Sequence, residues 1–171
     1  MSSVLHVYPL DLSRHDREGF DCGVAELNDY IAKRARKDVA SGVAACFVAT
    51  DEEGGSRIVG YYTLSAATIE RALLPERMLK KLPRYPELPA TLLGRLAVST
   101  AHCGEGLGAQ LLFSAMRRSV DAAAEVASLA LVTDPKDEAA ESFYRRFGFE
   151  ALTSHRLFLP MQEVINLLSA R

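Results

Sequence analysis

The sequence predicts an α/β (α+β mixed) fold, with three layers in which helices flank a central mixed, mostly antiparallel β-sheet. Two observations carry this prediction. Two apolar runs surround an acidic, Gly-rich turn in the first half, and a strand-helix-strand-helix-strand order follows in the second half. The 171 residues contain no internal repeat and no linker, so we expect a single domain over residues 1–171.

The first half of the chain is predicted to contain one helix and several strands. Its elements are a short strand at 4–8, a loop with a short helix at 11–24, a helix from Ala25 to Gly42, and a hairpin of strands 44–50 and 57–64 around the turn 51–55. Four prolines within residues 75–89 favour a loop there, with one or two helical turns at 76–81.

The second half alternates strands and helices. Its predicted elements are a strand at 91–98, a helix at 109–124, a strand at 126–132, a helix opened by Asp134-Pro135 and ended at Phe147-Gly148, strands at 149–152 and 156–159, and a last helix opened by Pro160. This order indicates one mixed sheet, in which ligands bind where strands end and helix N-termini begin.

The composition excludes several classes of protein. Hydrophobic residues make up 49% and charged residues 25% of the chain, and the formal net charge of -2 argues against a globally basic nucleic-acid binder. Cys22, Cys46 and Cys103 show neither paired nor metal-like spacing. Since the N-terminus lacks a signal-peptide pattern and no apolar run approaches the roughly 20 residues of a membrane span, we expect a reduced cytoplasmic protein without metal.

A glycine-rich turn joins the predicted strand 91–98 to the next helix. Gly104, Gly106 and Gly108 allow the backbone N–H groups to approach a ligand closely, and the helix N-terminus that follows favours an anion such as a pyrophosphate. The spacing matches neither the dinucleotide fingerprint nor the P-loop. By itself the turn is also compatible with a flexible strand-to-helix connection.

Three segments together resemble the GNAT-type N-acetyltransferases: Leu92–Val98, the glycine turn and Glu141–Phe149. The resemblance implies a GNAT-like fold and acetyl-CoA as co-substrate, with its pyrophosphate on the backbone amides of the turn. It implies these cofactor-binding residues: Leu96, Ala97, Val98, Cys103, Gly104, Glu105, Gly106, Leu107 and Gly108. Cys103 stands where the family usually has Arg or Gln, and Glu105 where Lys, Arg or Gln is common. We expect the Glu105 carboxylate to weaken acetyl-CoA binding.

An aromatic cluster ends the helix that Asp134-Pro135 opens. Phe143 and Phe147, four residues apart, are predicted to pack inward, whereas Tyr144 points to a different face. In the resembling family a tyrosine at this position protonates the departing thiolate, which implies that Tyr144 is the catalytic acid. A phenol suits this role because its ordinary pKa of about 10 keeps it protonated at pH 7. His102, beside the turn, is interpreted as a surface residue rather than a base.

The wider chain resembles one subgroup, the acetyltransferase toxins of bacterial toxin–antitoxin systems. The matching segments are Phe20–Gly23, Leu27-Asn28, Tyr30-Ile31, Gly60–Leu64, Leu82–Pro86 and Leu93–Val98. The resemblance implies acetylation of the α-amine of aminoacyl-tRNA, which blocks translation. It also implies a ribbon-helix-helix antitoxin as a separate chain, operator DNA bound only through the toxin–antitoxin complex, and a homodimer.

Basic side chains cluster in two places that could meet tRNA phosphates. The candidate tRNA-binding residues are Lys33, Arg34, Arg36 and Lys37 on the first helix, Arg77, Lys80, Lys81 and Arg84 in the proline-rich segment, and Arg95. Without the resemblance, the same clusters would equally suit a solvated charged face. The sequence contains no module for reading bases, so recognition by shape and backbone is expected.

Two alternatives to a tRNA-directed toxin stay open at this stage. One is an acetyltransferase acting on a small-molecule amine or a protein N-terminus, for which the basic clusters would be dispensable. The other is a non-catalytic module that keeps the fold for binding, which the unusual Cys103 and Glu105 would fit.

Overall fold

The computed structural model describes residues 5–171. Its strands are β1 (His6–Pro9), β2 (Ala45–Thr50), β3 (Ile58–Glu70), β4 (Glu87–Val98), β5 (Ala130–Thr133), β6 (Glu150–Ala151) and β7 (Leu157–Pro160). Its α-helices are α1 (Ala25–Asp29), α2 (Ala35–Ala40), α3 (Glu76–Leu79), α4 (Leu107–Ala123), α5 (Glu138–Arg146) and α6 (Met161–Ser169). A π-helical segment (Tyr30–Arg34) joins α1 to α2, and 3₁₀ turns span Arg71–Leu73 and Thr100–His102.

The strands of the described residues form one seven-stranded sheet in the order β1-β2-β3-β4-β5-β7-β6. β4 pairs with β5 in parallel, whereas β1 with β2, β2 with β3, β5 with β7 and β6 with β7 are antiparallel. The predicted mixed, mostly antiparallel sheet flanked by helices is therefore confirmed, including the hairpin of β2 and β3.

Two compact units divide the described chain. The first contains the described part of residues 1–65 with Gly94–Ala115, and the second contains Ala66–Leu93 with Met116–Arg171. The first unit's core joins the first helix, through Tyr30, Ile31 and Ala35, to Val48 and Tyr61 of the hairpin. The second unit has its own core, which includes Ile69, Leu88, Val132 and Phe158. A single domain over residues 1–171 stays a prediction.

The first half of the chain follows the predicted order with shifted boundaries. β1 is His6–Pro9 rather than 4–8, and residue 4 lies outside the described residues. The helix from Ala25 ends before Gly42, whose φ of 75° only glycine adopts readily, as predicted. β3 runs six residues past the predicted end at Leu64, the residue that pairs with the first residue of β2. β4 begins at Glu87, before the predicted residue 91.

Two boundaries in the second half were wrong, and local hydrogen bonds explain both. The predicted strand 126–132 is only Ala130–Thr133, because the Val126 N–H donates to the Ala122 carbonyl (2.8 Å) and prolongs the end of α4. Helix α5 does not open at Asp134-Pro135. Asp137 is its N-cap and accepts the Ala140 N–H at 2.8 Å, whereas Asp134 binds Arg156 at 2.7 and 2.9 Å.

The remaining second-half predictions hold within a few residues. α4 begins at Leu107, two residues before the predicted Ala109, and α3 is a single turn within the predicted 76–81. Gly148 has a φ of 98° just after α5, as expected for a helix stop. β6 and β7 match the two short predicted strands, and Pro160 precedes α6. All three cysteines are free, and Cys46 is buried as predicted.

His15 is a buried titratable group of the first unit. It is 5% exposed, its Nδ1 accepts the Asp11 N–H at 2.9 Å, and its Nε2 has no hydrogen-bond partner among the described residues. Burial lowers the pKa of His15, and this effect outweighs the opposing effect of the Asp11 charge. The folded state therefore prefers the neutral imidazole.

We expect His15 to make the protein less stable as the pH falls below about 6.5, since only the unfolded chain then gains this proton readily. Replacing His15 by asparagine keeps an acceptor near the Nδ1 position and should flatten the free energy of unfolding between pH 7.5 and 5.5. The difference in slope cannot exceed about 1.4 kcal/mol per pH unit for one proton. Urea denaturation at each pH measures it, with the exposed His155→Asn as control. Equal slopes for the wild type and His15→Asn would contradict the prediction.

Candidate active site

The end of strand β4 is anchored within the first unit. The Ser99 N–H donates to the Val59 carbonyl at 2.8 Å, and the Thr100 N–H donates to the Asp21 carbonyl at 2.9 Å. The Ser99 hydroxyl then accepts the Ala101 N–H and starts the 3₁₀ turn. These bonds fix the backbone that follows Leu96, Ala97 and Val98, the strand residues predicted to bind the cofactor.

The glycine turn connects this 3₁₀ turn to α4. Gly104 and Gly106 have φ values of 81° and 77°, so both need the left-handed conformation that glycine tolerates. In α4 the Gln110 N–H donates to the Gly106 carbonyl at 3.2 Å. The N–H groups of Leu107 and Gly108 come earlier in the chain, in the first turn of the helix. First-turn N–H groups of a helix have no intrahelical partner and attract anions. The turn therefore presents closely spaced backbone N–H donors of the kind that a pyrophosphate cradle would need.

Two polar side chains of the turn are exposed. Cys103 and Glu105 both lie in solvent, and the Cys103 thiol contacts the Ser99 carbonyl at 3.8 Å. None of the ion pairs among the described residues involves Glu105, so its carboxylate remains an uncompensated negative charge beside the cradle. His102 is half-buried rather than a plain surface residue, and its Nδ1 is buried without a hydrogen-bond partner among residues 5–171.

We expect Glu105→Lys to tighten acetyl-CoA binding by about 2- to 30-fold, since it removes one exposed repulsion and adds one exposed attraction. Titration calorimetry measures the dissociation constant, and the gain should shrink as salt is raised. Glu105→Gln should give about half of the effect in free energy. Equal or weaker binding by Glu105→Lys would show that the carboxylate does not act on the phosphates.

Tyr144 belongs to the second unit and is 6% exposed. Its ring packs at the edge of Phe149 and of Phe143, with centroid distances of 5.3 and 5.2 Å. Burial raises the pKa of Tyr144 to about 12, and its hydrogen bond with the Thr133 side chain opposes this shift. Since Thr133 Oγ1 also lies 3.0 Å from the Leu93 carbonyl, the hydroxyl of Tyr144 is held against fixed strand residues. Such a phenol keeps its proton near neutral pH and can act as an acid.

The packing of the aromatic residues at the end of α5 (Phe143, Tyr144 and the C-cap residue Phe147) differs from the prediction. Phe143 and Phe147 contact one another at 5.3 Å between centroids, but both are only half-buried, and the Arg146 guanidinium lies 5.9 Å above the Phe143 ring. Tyr144 instead takes the most buried position of the helix. The i, i+4 spacing correctly indicated that Phe143 and Phe147 lie on one side of the helix. It did not show that the side with Tyr144 is the one that packs against the core.

The two basic clusters differ in which of their side chains form ion pairs. Lys33, Arg34, Arg36 and Lys37 are all exposed, and within the described part of the chain only Lys33 has an ion pair, with Asp29 at 3.6 Å. In the second cluster Lys80, Lys81 and Arg84 are exposed and have no ion pair with any residue of 5–171, whereas Arg77 pairs with Glu150. The ion pair with Glu150 competes with any phosphate for Arg77, which weakens the prediction that this residue binds tRNA.

Arg95 lies in an environment that the sequence did not indicate. Its guanidinium carbon lies 3.6 Å from the centroid of the Tyr30 ring, which itself stacks on Tyr61 at 6.2 Å. The Tyr30 hydroxyl donates to Asp38, and Tyr30 opens the π-helical segment. The wider turn at Tyr30 was missed, because no residue pattern distinguishes a π-helical turn from an α-helical one.

The chain matches the family model for the acetyltransferase (GNAT) domain over residues 42–151. It belongs to the GNAT acetyltransferases. A tRNA-acetylating toxin of Mycobacterium tuberculosis is 35% identical over 146 residues, covering 85% of each chain. A probable toxin TacT of Sinorhizobium fredii is 27% identical over 171 residues, covering 95% of this chain and 94% of that one. The predicted family and the resemblance to acetyltransferase toxins are thus confirmed.

Solved structures of similar toxins share the fold. AtaT complexed with acetyl-methionyl-tRNAfMet has a TM-score of 0.87 at 28% identity, over 95% of this chain and 98% of that chain. AtaTR bound with AcCoA has a TM-score of 0.83 at 29% identity, over 95% and 97%. A tyrosine-to-phenylalanine mutant of AtaT bound to the C-terminus of the antitoxin AtaR has a TM-score of 0.83 at 25% identity, over 98% and 99%.

The described residues contain neither a membrane-spanning helix nor a cluster of metal-ligating side chains. No helix among them is long and apolar enough to cross a membrane. Within the same residues, no group of three or more His, Cys, Asp or Glu side chains is arranged to hold a metal ion.

Proposed function

We propose that this GNAT acetyltransferase is a toxin that transfers the acetyl group of acetyl-CoA to the α-amine of aminoacyl-tRNA and thereby blocks translation. The observation that carries the proposal is the 35% identity to a tRNA-acetylating toxin over 85% of the chain, together with the structural similarity to AtaT complexed with acetyl-methionyl-tRNAfMet. The exposed, mostly unpaired basic clusters suit a polyanionic substrate.

The co-substrate assignment rests on the glycine turn. Leu96, Ala97 and Val98 with the turn Cys103–Gly108 would hold acetyl-CoA, whose pyrophosphate needs closely spaced backbone donors. The positive φ values of Gly104 and Gly106 and the start of α4 at Leu107 provide such donors. AtaTR bound with AcCoA, a structure with the same fold, supports this assignment.

Tyr144 is the proposed catalytic acid. Acetyl-CoA supplies a thioester carbonyl to the attacking amine and a thiolate as leaving group. The Tyr144 hydroxyl donates its proton to that thiolate, while N–H groups at the end of β4 stabilise the negative charge on the carbonyl oxygen. The attacking nitrogen loses one proton as the amide forms, and a proton returns to the Tyr144 phenolate, so that coenzyme A leaves as a thiol and the phenol is restored. Because burial raises the pKa of Tyr144 to about 12, the phenol is protonated at neutral pH, as the role of an acid requires.

The attacking amine needs little help from the protein. An α-amine has an ordinary pKa of about 7.7–8.0, so part of it is already neutral and nucleophilic at physiological pH. A lysine side chain, with a pKa near 10.4, would require a base. This difference favours the aminoacyl α-amine over a lysine as the acceptor.

The proposed partners are of the same kinds as those of the resembling toxins. We propose that the protein acts in the cytoplasm as a homodimer and that residues 1–171 form a single domain. A separate ribbon-helix-helix antitoxin neutralises it, as supported by the complex of AtaT with the antitoxin AtaR. Operator DNA binds only through the toxin–antitoxin complex.

The test of the proposal is transfer of radiolabelled acetyl from acetyl-CoA to a pool of charged tRNA, with the Tyr144→Phe protein as control. Label should enter the tRNA fraction, depend on Tyr144 and be released when the ester is hydrolysed. Label on small amines or on protein N-termini, with none on tRNA, would favour the alternative acetyltransferase. Absence of acetyl-CoA binding would favour a non-catalytic binding module.

A further inference from the structure

An exposed aromatic ring stands out on the surface of the second unit. Tyr85 is 66% exposed and lies in the segment Lys80–Pro86, called the platform loop below, between α3 and β4. No ring contact, hydrogen bond or ion pair among the described residues involves its side chain. A tyrosine ring in solvent leaves its apolar face and its hydroxyl free to contact a ligand, as tyrosines at interfaces do.

The platform loop is held in place from one side by Arg71. The Arg71 side chain donates to the Pro83 carbonyl at 2.9 Å and to the Leu79 carbonyl at 3.0 Å. The Arg71 N–H donates to the Pro86 carbonyl at 2.9 Å. Pro83 and Pro86 restrict the backbone on both sides of Tyr85. The ring is therefore presented on an ordered segment, and a ligand that covers it loses little free energy in ordering the loop.

All charged side chains of the platform loop are positive. Lys80, Lys81 and Arg84 are exposed, have no ion pair among the described residues, and have no acidic neighbour within the segment. Glu76 and Glu87 flank the segment outside it. Three uncompensated cations beside an exposed ring form the combination that binds single-stranded nucleic acid, in which cations contact phosphates and the ring stacks on a base. Bases within a duplex are already stacked and cannot use the ring.

We propose that the platform loop binds an unpaired segment of the tRNA substrate, with Tyr85 stacked on a base and Lys80, Lys81 and Arg84 on the phosphates. The inference rests on the proposed function for the identity of the substrate. The sequence indicated only recognition of the shape and the backbone of the tRNA. The inference adds a contact to an unpaired base. Tyr85 would act as a positioning residue for the tRNA, without a part in the chemistry.

Binding of a short single-stranded RNA that contains 2-aminopurine tests the proposal. The wild type should quench the fluorescence, and Tyr85→Phe should behave like it because phenylalanine keeps the stacking face. Tyr85→Ala should not quench and should bind about 5- to 150-fold more weakly, as expected for loss of one stacked base. A fully paired RNA of the same sequence should bind the wild type and Tyr85→Ala equally. Val126→Ala, which truncates another exposed apolar side chain, should retain wild-type binding.

A second measurement separates this inference from the proposed function. If the wild type acetylates charged tRNA, Tyr85→Ala should raise the KM for tRNA by a similar factor and leave kcat and acetyl-CoA binding unchanged. Replacement of Lys80, Lys81 or Arg84 by glutamine should each lower the salt dependence of RNA binding, whereas Tyr85→Ala should not.

Three outcomes would overturn the inference. The first is an unchanged KM for tRNA in Tyr85→Ala while the wild type is active. The second is an equal loss of binding to single-stranded and paired RNA, which would indicate a collapsed loop. The third is unchanged RNA binding with loss of neutralisation by purified antitoxin, which would assign the ring to a protein partner. Absence of any acetylation of tRNA by the wild type would contradict the proposed function itself.

Discussion

Replacing Tyr144 by phenylalanine is expected to lower kcat by about 10²- to 10⁴-fold, the usual contribution of a positioned acid. The buried ring keeps its contacts with Phe143 and Phe149, so the fold and the binding of acetyl-CoA should be retained. The variant loses one hydrogen bond to Thr133, which costs about 0.5–1.5 kcal/mol of stability. Steady-state kinetics with charged tRNA, calorimetry with acetyl-CoA and thermal unfolding measure the three quantities.

Tyr62→Phe is the matched control, because it makes the same change at another buried tyrosine. The Tyr62 hydroxyl lies 2.8 Å from the Ser114 hydroxyl, so this variant also loses a hydrogen bond. It should lose a similar amount of stability and keep the wild-type kcat. Comparable turnover by the two variants would remove Tyr144 from the mechanism.

Replacing Arg34, Arg36 and Lys37 together by glutamine is expected to weaken tRNA binding on the order of 10²-fold at about 0.15 M salt. The estimate assumes that each side chain contacts one phosphate and releases about 0.9 counterion. These three cations are exposed and have no ion pair among the described residues, unlike Lys33. The slope of log affinity against log salt should fall by about 2–3. Filter binding of tRNA over a salt series measures both quantities.

The control for this triple variant removes the same number of charges elsewhere. Arg14, Arg57 and Lys136 are exposed and lie outside both basic clusters, and their replacement by glutamine changes the net charge equally. The control should weaken binding much less, since long-range attraction to the whole protein is screened at this salt concentration. An equal loss in the two triple variants would show that net charge, and not the helix, determines tRNA affinity.

Local patterns were sufficient for much of the fold. The hairpin of β2 and β3, the helix from Ala25 and the turn before α4 were predicted because each depends on residues close together in the chain. The predictions failed where hydrogen bonds compete at element ends. Val126 continues a helix end instead of beginning a strand. Asp137 caps α5 by accepting the Ala140 N–H, whereas Asp134 binds Arg156.

Some features of the candidate site were predicted and others were not, because only some of them depend on residues close together in the chain. The glycine turn was identifiable, because positive φ values at Gly104 and Gly106 are a property of the residue type. The ion pair of Arg77 with Glu150 and the exposure of Tyr85 depend on segments that are distant in sequence or on the path of the loop. No periodicity in the sequence reports such contacts.

The sequence by itself therefore determined the family, the mixed sheet, the glycine turn and the position of Tyr144 as a candidate, since motifs and periodicities are local features. Only the tertiary structure decided that Tyr144, and not Phe143 or Phe147, is buried, because the packing surface of α5 is defined by Thr133 and Phe149. It also decided that Arg95 stacks on Tyr30. Burial and pairing arise from residues brought together by folding, and these properties determine the pKa of the acid and the charges that remain free to bind.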